Sequence, residues 1–259
     1  MNIDRYLKLH EDERLGIVKP YLDNIIMSLK DYNNLPNKNK IIAVLNNQSF
    51  EIENDYISLK LKNILNYPIL EKVTDISYFN HDNYWGINTN NINNDFTYNN
   101  KITNIVLVIN KYPLLNIIYE HISKNIYIGV RLLGGYISKN FDLNIQEIVW
   151  EQEHIDKLFI LNKDISIINS KNNQKLNNFI NYFLDDHIKL VDNDYYFIIK
   201  EFIINKCELG LIVSKLHIID LLVYYNMLKS LGYNIVDEDN SSIKFEDLSI
   251  DYSFLVIKN

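Results

Sequence analysis

The sequence predicts an α/β protein with a mostly parallel central sheet flanked by helices and closed by an antiparallel C-terminal hairpin. Three observations predict it. Short apolar runs read as strands buried on both faces: "NIVLVI" (104–109), "NIYIGVRL" (125–132), "ISII" (165–168) and the stretch 194–200 that holds "YYFIIK". Helical stripes separate these runs, and alternation of the two argues for crossover connections. The last segments, "SSIKF" (241–245) and "YSFLVIKN" (252–259), read as a hairpin at or near the sheet edge.

Taken in order, the first helix is expected over 12–31, where Leu22, Ile25, Ile26 and Leu29 form one apolar face and Pro20 sits early. "NNLPNKNK" is a turn cluster, and "IIAVL" (41–45) reads as a strand. "SFEIEN" and "YISLKL" are ambiguous short segments. "YWGINTNNINNDFTYNN" (84–100) is polar, Asn-rich and without period, and is expected to be a loop or a disordered excursion. Pro113 suits a helix N1 position, with Leu114, Leu115, Ile118 and Ile122 lining the helix it opens. Leu176, Phe179, Ile180, Phe183 and Leu184 make another stripe. The long helix 215–231 carries Leu216, Ile219, Val223 and Met227 on one face and Gly232 as its cap, followed by "LGYNI". The organisation expected is an N-terminal helical or mixed extension, 1–100, packed on an α/β unit, 101–259, as one compact body.

Composition narrows the function. The chain has 259 residues and a net charge of −7, so it lacks the broad positive field that drives phosphate-backbone binding. Its single cysteine, Cys207, excludes a disulfide framework and a Cys-rich zinc site. No run approaches the roughly 18–20 apolar residues of a membrane span, and the charged start is unlike a secretory signal. These features lead us to expect a soluble, cytoplasmic protein. The wealth of Asn, Ile, Tyr and Lys points to an AT-rich genome. Glycine is scarce, 7 residues where average usage gives roughly 18.

The chemistry-bearing motifs are few. "GVRLLGG" (129–135) lacks G-x-G-x-x-G spacing and reads as a turn. His10, His81, His121, His154, His187 and His217 show no i, i+4 pairing, and His121 is expected inside a helix. No metal site is expected. "EDER" (11–14) and "EQEH" (151–154) read as solvated faces, and "DEDN" (237–240) as a turn. Cys207 has no evident His partner. The 19 tyrosines lack clustered basic neighbours, so packing is expected rather than base stacking.

The run "YYFIIKEF … LLVYYNMLKSLGYNIV … YSFLVIKN" resembles the C-terminal third of RNA ribose 2′-O-methyltransferases. The resemblance implies a Rossmann-like methyltransferase fold with Lys200 at the position of the catalytic lysine. The order of elements over residues 100–259 is closer still to the small regulatory subunits of poxvirus-type mRNA-capping enzymes, which resemble the same methyltransferases without their catalysis. Departures favour the inactive relative. A methyl donor needs a glycine turn after the first strand, yet no glycine occurs from Leu107 to Lys124, and Pro113 and Leu114 stand there. The second strand ends in Gly129, Val130 and Arg131 where the family has an acid. Asn169 and Ser170 stand for the catalytic aspartate, and only Asp251 lies near the last acidic position. Lys200 alone is kept, as a vestige, because a lysine without its carboxylates is a poor base.

The resemblance therefore implies a non-catalytic subunit with no cofactor and no catalytic residue. It would form a heterodimer with the large capping subunit and stimulate guanine-N7 methylation, an mRNA-processing role in viral transcription. RNA contact would be indirect, and the setting a viral factory or virion. Two alternatives remain: an active methyltransferase with a diverged cofactor loop, and an unrelated α/β interaction or immunity protein.

Overall fold

The computed structural model describes residues 3–35, 49–71, 81–93, 99–148, 159–162, 189–190, 195–204, 209–213, 218–236, 242 and 254–258. Two sheets and two helical layers alternate. The first layer is α1 (Ile3–Leu7), α2 (Glu11–Asn33) and α3 (Ser49–Ile64). Beneath it lies a seven-stranded sheet in simple chain order: β1 (Ile69–Glu71), β2 (Tyr84–Asn93), β3 (Asn99–Ile109), β4 (Tyr112–Glu120), β5 (Asn125–Val130), β6 (Gly134–Lys139) and β7 (Gln146–Glu147). The third layer is α4 (Tyr195–Ile204) and α5 (Ile218–Ser230). The fourth is a five-stranded sheet in the order β11 (Asn234–Val236), β12 (Phe254–Lys258), β10 (Leu209–Val213), β8 (Phe159–Asn162) and β9 (Lys189–Leu190).

The larger sheet is antiparallel at every pairing except β1–β2. This corrects the expectation of a mostly parallel, Rossmann-like methyltransferase sheet. The smaller sheet is mixed: β10 runs parallel to β8, β8 parallel to β9, and β12 antiparallel to both β10 and β11. Strand β12, within the expected 252–259, is antiparallel to β10 and β11; the expected hairpin partner 241–245 lies, apart from Ser242, outside the described residues. The β2–β3 hairpin spans position 100, pairing Tyr84 with Val108 and Asn93 with Asn99.

Three local expectations change for stated physical reasons. The segment after Pro113 is strand β4, not a helix. Its residues from Pro113 to Glu120 are buried, because both faces of the sheet are covered, and a strand apolar on both faces hides its period of two. Pro113, which has no N–H to give a ladder, sits near the start of β4 beside an irregularity in the β3–β4 register. The connection from β3 is a tight turn with Asn110 at φ 50 and Lys111 at φ 64, so the region where a glycine loop was sought is a two-residue hairpin. The Asn-rich segment, expected to be a loop, forms β2 over 84–93. The stretch expected as strand 194–200 is helix α4, with Tyr196, Ile199, Phe202 and Ile203 buried at helical spacing.

Helix α2 covers the expected 12–31 and places Val18, Leu22, Ile25, Ile26 and Leu29 in the core. Helix α5 lies within the expected 215–231, and Gly232, at φ 86, ends it as a left-handed cap. "GVRLLGG" is the β5–β6 turn and its flanks. His121 follows β4 in a turn rather than a helix. The expected strands 41–45 and 165–168, the stripe 176–184, and Cys207, His154, His187, His217, Asn169, Ser170 and Asp251 lie outside the described residues. No described helix is long and apolar enough to cross a membrane.

Candidate functional site

Strand alternation sorts the side chains of the seven-stranded sheet. Trp85, Ile87, Ile105, Leu107, Leu115, Ile117, Tyr119, Ile126 and Ile128 face α1–α3 and join an apolar cluster with α2. Tyr84, Ile102, Val106, Val108, Ile118 and Tyr127 face the opposite way, into the cluster of α4 and α5. On that second face the same parity carries Asn88, Asn90, Asn104, Asn116 and Glu120.

Helix α5 lies over this polar row, and two glycines let it approach. A Cβ on Gly86 would stand 2.7 Å from Ile219 Cδ1, and one on Gly129 would stand 2.3 Å from Asn116 Oδ1 and 2.7 Å from Ser230 Oγ. The helix is buried without interruption from Ile219 to Leu228, so its polar residues must find partners inside.

Asp220, in the first turn of α5, is fully buried and is the centre of the site. Asn88 Nδ2 donates to both carboxylate oxygens at 3.0 Å. Asn90 Nδ2 donates to Oδ2 and Asn104 Nδ2 to Oδ1, each at 2.7 Å. Asn88 and Asn104 are direct cross-strand partners on β2 and β3, which brings their amides together under the helix end. Asn104 Nδ2 also reaches the Tyr224 hydroxyl at 3.1 Å, one turn along α5. Further along, Asn226 Nδ2 donates to Asn116 Oδ1 at 2.7 Å. An ionised carboxylate only accepts hydrogen bonds, and its two oxygens offer about four lone-pair sites. Four amide contacts fill that capacity. Asp220 also lies where the partial positive charge of the helix N-terminus favours an anion.

A second buried carboxylate, Glu120 at the end of β4, anchors α4. Its Oε1 accepts from the Tyr196 hydroxyl and from Lys200 Nζ, both at 2.6 Å, and its Oε2 accepts from Ser123 Oγ at 2.5 Å. Lys200 therefore sits on a helix and ties it to the sheet; the structure does not place it at the end of a strand. Burial first, then the Glu120 charge, holds the Tyr196 phenol well above its usual pKa, and the same two causes raise Tyr127.

Among the described residues, no group of three or more His, Cys, Asp or Glu is placed to hold a metal. Sequence reasoning missed Asp220 altogether. The signal available was a carboxylate inside the apolar run "IIDLLVYYNML", where a charge is rarely buried unless it has partners.

No family model matches the chain, and no curated protein matches it. Solved structures do. Inositol monophosphatase II from Staphylococcus aureus MSSA476 superposes with a TM-score of 0.65 at 11% identity, covering 95% of this chain and 89% of that one. CysQ from Bacteroides thetaiotaomicron, a bacterial member of the inositol monophosphatase family, gives 0.59 at 13%, covering 91% and 93%. An IMPase/NADP phosphatase complexed with Mg2+ and phosphate gives 0.53 at 11%, covering 81% and 75%.

These likenesses overturn the capping reading. The neighbours are phosphatases, not subunits of a capping enzyme or methyltransferases, and the sheet that the methyltransferase resemblance required is absent from the described fold. The expected heterodimer with a large capping subunit, the stimulation of guanine-N7 methylation, the link to mRNA processing and the status of a non-enzymatic subunit lose their basis with it. The alternative of an active methyltransferase falls for the same reason.

The Mg2+ of that neighbour poses a test for Asp220. A hard divalent cation needs several oxygen lone pairs converging on one point. Among the described residues one carboxylate is present here, and the amides around it turn their N–H ends inward. The described residues at Asp220 do not fit such a cation. What the comparisons establish is architecture: the chain has the inositol monophosphatase fold.

Proposed function

We propose that this chain acts on phosphate monoesters of small hydroxylated molecules, as the phosphatases that share its fold do. The observation that carries the reading is the extent of the likeness: nearly the whole chain superposes on nearly the whole of several phosphatases. Because the support is architectural, the substrate class is drawn by analogy of fold. Asn90 is the partly exposed member of the Asp220 cluster, with its Nδ2 donating to Asp220 and its Oδ1 accepting from Asn88.

The test is release of inorganic phosphate by the full chain from inositol monophosphate, fructose 1,6-bisphosphate and NADP, with and without Mg2+. The expected result is release from at least one of the three above a heat-denatured control. Absence of release from all three, at protein concentrations comparable to substrate, would overturn the reading.

A further inference from the structure

We propose that Asp220 is a closed, cation-excluding centre, in which the amides of Asn88, Asn90 and Asn104 occupy the place around the carboxylate that a divalent cation would need. The inference goes beyond the phosphatase reading and does not depend on it.

Three observations converge. The acceptor capacity of the carboxylate is taken by four amide contacts of 2.7–3.0 Å. The donors come from β2 and β3, adjacent strands fixed in register by the Asn88–Asn104 pairing, so the collar belongs to the sheet and is not a loose side-chain arrangement. The collar is itself buried: Asn88 and Asn104 are 4% and 0% exposed. An amide N–H pointing at a cation repels it. Turning all three amides would place carbonyl oxygens against carboxylate oxygens and leave N–H groups buried without acceptors. Among the described residues, a cation entering this site would meet one formal negative charge, that of Asp220, to offset that loss.

The collar also helps account for how the Asp220 carboxylate is accommodated inside a buried helix. Oriented amide dipoles and the helix end supply the stabilisation that bound charge or water supplies elsewhere. Asp220 thus fixes α5 over the sheet, and its role is to position rather than to coordinate.

The test is thermal unfolding and titration calorimetry of the full chain with Mg2+ and Ca2+ up to about 10 mM, since a ligand that binds only the folded state raises the unfolding midpoint. Three proteins are compared: the wild type, Asp220→Asn, and the double variant Asn88→Asp with Asn90→Asp. The wild type is expected to show no saturable cation response at Asp220. The double variant, with three carboxylates converging, is expected to unfold at lower temperature without cation and to recover with it.

A wild-type response that survives Asp220→Asn lies elsewhere and leaves the proposal standing. A saturable wild-type response abolished by Asp220→Asn overturns it. If either variant fails to fold, Asp220 itself is read in the wild type, by the carboxylate 13C shift of labelled aspartate with and without cation. No change supports the proposal, and a saturable change overturns it. Phosphate release is scored separately. Release together with an Asp220-dependent cation response sinks this inference and keeps the phosphatase reading; no release and no such response does the reverse.

Discussion

The two faces of the seven-stranded sheet are built from the same strands and carry opposite chemistry. The face under α1–α3 is mainly apolar from Trp85 to Val130, with the buried, hydrogen-bonded Thr89–Thr103 pair among its few polar members. The face under α4 and α5 buries two carboxylates and a row of asparagines among its apolar residues. The first face is held mainly by shape and area. The second hides many donors and acceptors, most of them paired, with Asn104 Oδ1 and Asn116 Nδ2 lacking a hydrogen-bond partner among the described residues, and an unmade bond there costs more than a lost methylene. Adjacent positions on one strand, such as Ile87 and Asn88, thus answer to different rules, and the polar face is where a function-bearing arrangement stands out against the packing.

The comparison breaks most visibly at Asp220. Asp220→Ala strands the buried amides of Asn88 and Asn104 and the partly exposed one of Asn90, and we expect a loss of about 3 kcal/mol or more, read by urea denaturation. Ile87→Val on the apolar face, deleting one methyl group, should cost about 1 kcal/mol. Equal losses would erase the distinction between the faces. Gly129→Ala pushes a Cβ against Asn116 Oδ1 and Ser230 Oγ, and is expected to cost about 1–3 kcal/mol by lifting α5 from the sheet.

Alkaline pH sharpens the comparison without mutation. Burial raises Tyr84, Tyr127, Tyr136 and Tyr196, and pushes Tyr6 up to about 12. For each phenol the stabilisation is whole below the unfolded value of about 10 and is lost as pH rises from there through the folded value. Lys229, lowered by burial, works in the opposite sense, because its buried charge is relieved as pH rises. Five groups against one predict a falling unfolding midpoint above about pH 10, and a flat profile would show that these phenols are not buried as described. Lys200→Met takes the cation from a buried carboxylate, but Glu120 keeps its Tyr196 and Ser123 donors, so the loss should be about 1–3 kcal/mol.

Much of the framework was legible in the sequence, and the failures have particular causes. Helix α2 announced itself through Leu22, Ile25, Ile26 and Leu29 because only one of its faces is buried. Strand β4 did not, because Leu114 and Leu115 both join the apolar cluster beside a register irregularity and the strand is covered on both sides. Helix α4 read as a strand because "YYFIIKEFII" is apolar almost throughout, and only its length of ten residues argued otherwise.

The site was hidden by composition. Asn88 and Asn90 stand at alternate positions of a strand, yet amides in an Asn-rich chain look like background and the segment read as a loop. Asp220 was visible as a carboxylate inside an apolar helix, but the described asparagine partners are over 100 residues away in sequence. The methyltransferase resemblance failed because the order of apolar segments does not specify whether neighbouring strands run parallel or antiparallel.

The account stands most directly on what touches Asp220. A crystal of the wild-type chain soaked in Mn2+ and measured at the metal absorption edge decides it. We predict no anomalous peak within about 2.5 Å of either carboxylate oxygen, with Asn88, Asn90 and Asn104 still donating to them. A peak at that position, with the asparagine oxygens turned toward it, would contradict the account.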